Sequence, residues 1–309
     1  MSEPSDRTYH VDGELVSADA AAVHVEDRGF AYGDAAVETL RAYGGEVFRW
    51  SDHAERLAST CEALALDHGL DDAELKRRVD ETLAANDLSD AGVRLSITRG
   101  RQPGGFGPEL PLDPQAEVDP TVVVVVWPAA RGGVGSAPAH AGPATLQTTK
   151  TRKVSDRAVP ADARTHNYLN RILARLELRV TGADEALICG PDGHVAEGAA
   201  ATLFFADGTG LKTPALDGPV LPGVVREVVI EIADAEGIPV EEGTYTPSDV
   251  READEVFLTN TRWELRPVRT VDGIDVGSDG EGVAGPVTTL VSRLFDRRVE
   301  ERHYDGERC

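Results

Sequence analysis

The stretch Arg164-Thr-His-Asn-Tyr168 stands directly before a helical pattern, and Ala196-Glu-Gly198 follows some thirty residues later. The apolar residues after Tyr168 recur at helical spacing, at Leu169, Ile172, Leu173, Leu176 and Val180. The second stretch lies between two strand-like runs, Glu185–Cys189 and Ala201–Phe205. The sequence therefore predicts a helix start and a strand end that bring a tyrosine and a carboxylate together at one ligand site.

The charge balance of the chain is strongly acidic. There are 54 acidic against 31 basic residues, a formal net charge of −23, and the only four lysines are Lys76, Lys150, Lys153 and Lys212. An acidic surface poor in lysine suits a protein kept soluble in concentrated salt, where self-repulsion is screened. We therefore expect a salt-adapted, haloarchaeal-like protein, and we exclude nucleic acid as a partner because such a surface repels it.

The cysteines and the apolar runs bear on the compartment. Cys61, Cys189 and Cys309 are odd in number and widely spaced, which fits a reducing compartment and shows no paired metal-ligand spacing. The polar, acidic N-terminus is unlike a secretory signal, and no apolar run approaches the length of a membrane span. We predict a cytoplasmic protein with no membrane partner and no metal site.

The length and the composition shifts predict two domains of mixed class. A chain of 309 residues can hold two modest domains or one large one. From Pro128 to Pro143 the sequence is rich in Ala, Gly and Pro and has no hydrophobic period, which is typical of a linker. We predict an α/β fold of the α+β type, with a small N-terminal α/β domain at 1–128, an interdomain linker at 129–142 and a larger C-terminal mixed-sheet domain at 143–309.

Hydrophobic periodicity and turn residues predict the individual elements. The predicted strands are Thr8–Val11, Glu14–Ser17, Val37–Tyr43, Glu46–Trp50, Val93–Thr98, Thr121–Trp127, Thr145–Thr149, Glu185–Cys189, Ala201–Phe205, one at Val240 and Glu255–Leu258. Helices are predicted from Ser51 or Asp52, from Asp71, over 165–181, from Leu221 and from Gly285-Pro286. The long Gly- and Pro-rich loop Arg101–Asp119 is predicted to be functional or mobile, and the charged tail beyond Arg297 is predicted to fray.

One predicted helix start has the composition of an anion site. Leu221-Pro-Gly-Val-Val-Arg226 would place free N–H groups and the positive end of the helix dipole at a ligand. Taken alone, the stretch is an ordinary helix start punctuated by proline. Arg56, taken alone, is a surface arginine on another helix, and a lone Thr261 means little.

Read together, these pieces resemble the class IV aminotransferases, the fold-type IV family that uses pyridoxal phosphate. The motifs that carry the resemblance are Asp27-Arg-Gly-Phe-Ala-Tyr-Gly-Asp34, Glu38-Thr-Leu-Arg41, His53-x-x-Arg56-Leu57, Thr98-Arg-Gly100, Asn167-Tyr-Leu169, Asp184-Glu-Ala186, Glu197-Gly198, Leu221-Pro-Gly223, Asp254-Glu-Val256, Thr259-Asn-Thr261 and Gly285-Pro-Val-Thr288. Each motif alone is weak, but their number and order over residues 8–295 make the resemblance specific.

The resemblance implies how the cofactor is held. The phosphate is expected on Arg56, on the backbone N–H groups of Val224 and Val225 after Gly223, and on Thr261. The resemblance also assigns two residues, Glu197 and Tyr168, to the pyridine ring of the cofactor.

Glu197 matches the carboxylate that pairs with the protonated ring nitrogen, so that the ring can accept electron density, and Tyr168 matches the hydroxyl beside the phenolic oxygen. The alternative interpretation of Glu197 is an exposed acid at a strand end.

The resemblance fails at the residue that makes the covalent bond to the cofactor. The family has a Schiff-base lysine three or four residues before the Asn of the Asn167-Tyr-Leu motif, where this chain has Arg164 and Ala163. Arginine cannot replace it, because the guanidinium stays protonated. Three hypotheses remain open: a non-catalytic cofactor-binding protein or inactive partner in a heterodimer; a relocated lysine, Lys150 or Lys153; or a single-base change in an otherwise active enzyme.

The substrate is less constrained by the sequence. Glu38-Thr-Leu-Arg41 and the basic, Gly-rich loop Thr98–Gly107 look most like aminodeoxychorismate lyases, and the resemblance places Tyr32, Thr39, Arg99 and Arg101 on the substrate side. The alternative interpretation is a solvated loop whose two arginines have no substrate role. The leading hypothesis is a lyase that forms 4-aminobenzoate and pyruvate from aminodeoxychorismate. The alternative is a branched-chain or D-amino-acid aminotransferase acting on small amino and keto acids. A homodimer is implied by the resemblance.

Overall fold

The computed structural model describes residues 6–101, 119–131, 138–277 and 284–304. The chain divides into two compact units: a first unit of Met1–Ala130 with Ala163–Asn167, and a second unit of Arg131–Asp162 with Tyr168–Cys309. Part of the predicted linker and most of the predicted loop Arg101–Asp119 lie outside the described residues. The division into 1–128, 129–142 and 143–309 stays a prediction.

The first unit is built on a six-stranded antiparallel sheet with the order β2-β1-β6-β5-β3-β4. Its strands are β1 (Thr8–Val11), β2 (Glu14–Ser17), β3 (Ala35–Tyr43), β4 (Glu46–Val47), β5 (Ala91–Thr98) and β6 (Val122–Pro128). Its helices are α1 (Arg28–Tyr32), α2 (Trp50–Ala63) and α3 (Asp72–Ala85). Side chains alternate along β6, so Val122, Val124 and Val126 enter the core shared with α2 and α3.

The two predicted hairpins of this unit are confirmed, and one helix start is wrong. Asp71 caps α3, accepting from the Glu74 N–H at 2.8 Å as predicted. Helix α2 begins earlier than predicted, at Trp50, after Arg49 in a left-handed conformation with φ 54° and no side-chain cap. The second strand of the second hairpin therefore ends at Val47, not Trp50, because the chain has already turned into the helix.

The second unit contains a mixed sheet of nine strands with the order β12-β11-β10-β13-β14-β7-β8-β9, with β15 paired to β14. Its elements are β7 (Ala144–Thr148), α4 (Leu169–Thr181), β8 (Glu185–Cys189), β9 (Val195–Gly198), β10 (Thr202–Asp207), β11 (Gly210–Pro214), α5 (Val224–Ala235), β12 (Val240–Gly243), α6 (Pro247–Arg251), β13 (Glu255–Asn260), β14 (Glu264–Val271), β15 (Ile274–Asp275) and α7 (Pro286–His303). The α/β class predicted for the chain is confirmed. Within the described parts of the chain, no helix is long and apolar enough to cross a membrane.

Helix α4 starts later than predicted and turns its apolar stripe outward. It begins at Leu169 because the segment before it bonds to β3 instead: the Val37 N–H donates to the Arg164 carbonyl at 2.9 Å and the His166 N–H to the Ala35 carbonyl at 3.1 Å. Ala174 and Leu178 pack on β8 in the second unit. The predicted stripe is exposed, from 42% at Leu176 to 91% at Val180.

The C-terminal helix corrects the prediction that the tail frays after Arg297. Helix α7 continues to His303 because Phe295 and Val299 are buried and Arg298 pairs with Glu231 of α5 at 2.6 Å. An apolar contact every turn holds a charged sequence in the helix, and the charges occupy its outer face.

Asp296 on α7 gives a pH-dependent prediction. Burial raises the pKa of Asp296 to about 6, the charge of Glu264 adds to this, and Arg131 opposes it. A carboxyl with a raised folded pKa contributes stability that is lost as the pH rises through that value. Asp296→Asn should therefore raise the free energy of unfolding by about 1 kcal/mol at pH 7, after discounting for partial exposure, and have no effect at pH 3. Urea unfolding at both pH values measures this; an equal effect at both would contradict it.

Candidate functional site

Glu197 is the centre of a buried charge cluster in the second unit. It lies on β9 opposite Ile188 of β8 and is 2% exposed. Its Oε1 accepts from Lys153 Nζ and lies 2.7 Å from an Arg171 nitrogen, and its Oε2 accepts from the Leu221 N–H at 3.2 Å. The interpretation of Glu197 as an exposed strand-end acid is therefore wrong.

The cluster holds Glu197 as a carboxylate. Burial would raise the pKa of Glu197, but the charges of Arg171 and Lys153 and the Leu221 N–H outweigh it, so the pKa lies below its ordinary value. Burial lowers the pKa of Lys153 against the opposing effect of Glu197, and Arg171 lowers it further. An ionised carboxylate therefore stands beside an amine that releases its proton more readily than an exposed lysine does.

Three different segments bring these side chains together. Lys153 lies in the loop after β7, where its N–H donates to the Cys189 carbonyl at 2.9 Å. Arg171 lies in the first turn of α4 and also donates to the Ala199 carbonyl at 3.1 Å. Its guanidinium stands 5.6 Å from the centre of the Tyr168 ring, and Tyr168 is the N-cap of α4. Tyr168 and Glu197, which the sequence predicts at one site, thus contact the same arginine.

The start of α5 forms a second polar region of this unit. Gly223 is the N-cap of α5 in an extended conformation and provides no side-chain cap. A Cβ at Gly223 would lie 2.9 Å from Thr202 Oγ1, so a larger residue there would crowd this hydroxyl. The helix α5, whose first residues are Val224 and Val225, therefore follows an N-cap that lies close to the Thr202 hydroxyl of β10.

Thr259 is a residue of this region that the sequence reasoning missed. It pairs directly with Thr202 across β10 and β13, so both side chains share one face of the sheet. Its hydroxyl is buried and has no hydrogen-bond partner among the described residues. Thr261, the predicted phosphate ligand, lies in the turn directly after β13. Thr259 stands in the quoted Thr259-Asn-Thr261 motif, but only the strand register shows which face it occupies.

Arg164 has a defined position in the first unit. Its N–H donates to Thr60 Oγ1 at 3.0 Å, and its guanidinium donates to Thr39 Oγ1 at 2.8 Å. Thr39, predicted on the substrate side, is therefore a partner of the arginine that stands where the family has its lysine. The catalytic role predicted for this position and the substrate role of Thr39 both stay predictions.

Arg56 is oriented by a buried carboxylate of the first unit. It donates to both oxygens of Glu38, at 2.8 and 2.7 Å, and His53 Nδ1 lies 2.9 Å from the same carboxylate. Burial would raise the pKa of Glu38, but Arg56 and His53 bring it down to about 2. This bidentate pair fixes the guanidinium plane. The predicted phosphate contact of Arg56 stays a prediction.

The remaining predicted substrate residues also lie in the first unit. Arg99 donates to both oxygens of Asp34, at 2.8 and 3.1 Å, and Arg101 lies 3.1 Å from Glu26. Tyr32 is 48% exposed. Residues 102–118, which include the Gly-rich part of the predicted substrate loop, lie outside the described residues. Substrate roles for Tyr32, Arg99 and Arg101 stay predictions.

Comparisons with known proteins agree with the resemblance. The family profile of amino-transferase class IV matches residues 35–271. A putative branched-chain-amino-acid aminotransferase of Methanocaldococcus jannaschii is 36% identical, covering 85% of this chain and 88% of its own length. A D-alanine aminotransferase of Listeria monocytogenes is 31% identical, covering 94% of each.

A solved structure extends the agreement to the fold. The branched-chain amino acid aminotransferase of Escherichia coli is similar at a TM-score of 0.86 and 28% identity, covering 97% of this chain and 97% of that one. The predicted fold type is thus confirmed. The chain belongs to the class IV aminotransferase family, whose cofactor is pyridoxal phosphate.

Proposed function

We propose that this chain binds pyridoxal phosphate in its second unit and transfers amino groups between small amino acids and keto acids. The observation that carries the proposal is Glu197, a fully buried carboxylate held ionised in a member of this family. When bound, the cofactor supplies an electron sink for negative charge formed at the amino acid Cα. Glu197 would keep the ring nitrogen protonated, and the Leu221 N–H orients its Oε2.

The residues at the start of α5 fit the phosphate. The N–H groups of Val224 and Val225, after an N-cap that offers no side-chain acceptor, would donate to phosphate oxygens with the help of the helix dipole. The buried Thr259 hydroxyl has no partner among the described residues, and a ligand oxygen would satisfy it. Thr261 would add a further hydroxyl. Tyr168, beside Arg171, would donate to the phenolic oxygen of the ring.

The relatives favour amino transfer over the lyase reaction. Their names are branched-chain and D-alanine aminotransferases, which supports the alternative hypothesis rather than the leading one. The test is an assay of the cofactor-loaded protein in concentrated potassium chloride, with 2-oxoglutarate and either L-leucine or D-alanine. We expect L-glutamate from the first donor or D-glutamate from the second. Pyruvate release from aminodeoxychorismate without either glutamate would overturn the proposal.

A second candidate function is cofactor binding without catalysis, and Arg164 is the observation that favours it. The guanidinium cannot form a Schiff base. If the chain only binds the cofactor, we expect pyridoxamine phosphate to bind stoichiometrically and neither amino donor to yield glutamate.

We also propose that the outward stripe of α4 is covered by a second copy of the chain, as the family resemblance implies. The stripe comprises Leu169, Ile172, Leu173, Leu176 and Val180, all at least 42% exposed in a chain of net charge −23. An apolar face of this size on an otherwise acidic protein is typical of an interface.

Substituting Leu169→Glu and Leu173→Glu together should weaken this assembly. Removing two apolar contacts from each interface face should weaken the free energy of association by about 3 kcal/mol, which raises the dissociation constant roughly a hundredfold. Light scattering at a series of dilutions measures the mass. Leu216→Glu, at another exposed leucine, is the control and should change nothing. A wild-type monomer, or equal masses for all three proteins, would contradict the prediction.

The cytoplasmic, salt-adapted setting is likewise a proposal. The acidic balance supports salt adaptation. Cys61 and Cys189, which are buried and free, support a reducing compartment.

A further inference from the structure

The four lysines of the chain differ sharply in their surroundings. Lys76 pairs with Asp80 at 2.6 Å on α3, Lys212 pairs with Asp207 at 2.6 Å, and Lys150 is exposed. Lys153 alone has its amine in the buried cluster, with a side chain only 11% exposed and in contact with Glu197. All four lie in the described residues, so this comparison covers every lysine of the sequence.

We propose that Lys153 is the residue that attaches the cofactor covalently, in place of the lysine missing at position 164. The proposal rests on the proposed function, because it requires pyridoxal phosphate at Glu197. It also requires a nearby amine that can lose its proton, and the cluster around Glu197 holds such an amine where the ring nitrogen is expected.

Cofactor binding itself would release the amine. In the cluster, Oε1 of Glu197 is shared by Lys153 and Arg171, and Oε2 is engaged by the Leu221 N–H. A protonated ring nitrogen that pairs with Glu197 would be a third cation for one carboxylate, so we expect one of the two side chains to withdraw. Arg171 is anchored on the Ala199 carbonyl and cannot lose its charge. Lys153 can release its proton to water and withdraw as a neutral amine, because burial and the charge of Arg171 already favour that form.

The bond that follows is an ordinary condensation. The lone pair of Lys153 Nζ forms a bond to the aldehyde carbon, and the electron pair of the C=O bond moves to the oxygen. The oxygen leaves as water with the two amine protons, and a carbon–nitrogen double bond remains. No oxidant or further reactant is needed. The aldehyde is para to the ring nitrogen, so Nζ must swing from Glu197 towards the opposite end of the ring, a movement that the flexible four-carbon stem of lysine permits.

The test separates attachment from binding. Pyridoxamine phosphate has no aldehyde and cannot form the covalent bond. It is titrated first into the whole chain to measure the affinity of non-covalent binding. The protein is then mixed with pyridoxal phosphate, reduced with borohydride, digested and mapped by mass spectrometry. Lys153→Arg keeps a cation on Glu197 but removes the nucleophile, and Lys153→Gln removes both. Lys150→Gln is the control three residues away.

We expect the reduced adduct on Lys153 in the wild type and in Lys150→Gln. In both Lys153 variants the adduct should fall at least about tenfold. Pyridoxamine phosphate should still bind Lys153→Gln, and it should bind Lys153→Arg more weakly, because the fixed charge at position 153 cannot withdraw from Glu197. Binding without an adduct on Lys153, or an equal adduct yield in Lys153→Arg, would overturn the inference and leave the proposed function standing. Absence of pyridoxamine phosphate binding in the wild type would overturn the proposed function, and the inference with it.

Discussion

Replacing Glu197 with glutamine should lower the free energy of unfolding by about 3 kcal/mol at pH 7, because two cations then stay buried without their carboxylate. Glutamine has nearly the same shape as glutamate and keeps one acceptor oxygen. The loss of stability therefore measures the effect of the missing charge and not of a cavity. Lys153 and Arg171 are the cations concerned, and both have side chains less than a fifth exposed. Denaturant unfolding of both proteins measures the difference.

The pH dependence of this loss has a definite sign. The folded pKa of Glu197 is lowered, so its contribution is fully present above the pKa of the unfolded chain and is lost as the pH falls through the folded value. The difference between wild type and Glu197→Gln should therefore shrink on acidification.

Glu185→Gln is the matched control for this substitution. Glu185 is also buried, on the neighbouring strand β8, and pairs with Arg175 of the same helix α4 at 3.0 Å. Burial raises the pKa of Glu185, so neutralising it costs less. A loss at Glu185→Gln as large as that at Glu197→Gln, or no pH dependence at Glu197, would contradict the expected role of the cluster.

Replacing Arg164 with lysine should raise the rate of amino transfer by about a hundredfold, because a lysine there can carry the proton at the substrate Cα. The resemblance implies that a lysine at this position acts both as Schiff base and as proton carrier. Lys153, bonded to the aldehyde carbon from the loop after β7, would supply attachment alone. The backbone of residue 164 is held by Thr60 and Val37, so the variant should keep the local structure.

Steady-state glutamate formation measures this gain, and borohydride mapping follows the adduct, which should move towards position 164. Arg157→Lys is the control, because it adds a lysine at an exposed loop position instead of position 164. It should leave the rate unchanged. An unchanged rate in Arg164→Lys, with the adduct still on Lys153, would show that the missing lysine is not what limits the chemistry.

Motifs made part of the site predictable from the sequence. Glu197 and Tyr168 stand in short motifs of fixed order, so their proximity could be inferred without coordinates. The contact of Lys153 with Glu197 could not, because it joins a loop to a strand 44 residues away. Long-range contacts of this kind depend on the order of strands in the sheet, which local pattern does not encode. Thr259 was missed for the same reason: only its register with Thr202 shows that the two side chains share one face of the sheet.

Periodicity predicted which segments are helical better than it predicted which face they bury. The stripe on α4 has the spacing of a core face, yet the small Ala174 with Leu178 makes the contact with β8. A periodic apolar face indicates that another surface covers it, and we propose that on α4 this surface is a second copy of the chain. The end of α7 shows the converse, because Val299 is a single apolar residue in a charged run and still holds the helix to His303.

The most direct measurement is a titration of pyridoxamine phosphate into the wild type, Glu197→Gln and Glu185→Gln, followed by isothermal calorimetry. If the second unit binds the cofactor through Glu197, the wild type and Glu185→Gln bind one molecule per chain with similar affinity, and Glu197→Gln binds at least about tenfold more weakly, the effect of losing roughly 1.4 kcal/mol or more of a charge-assisted contact. Equal affinities for Glu197→Gln and Glu185→Gln, or no saturable binding to the wild type, would contradict it.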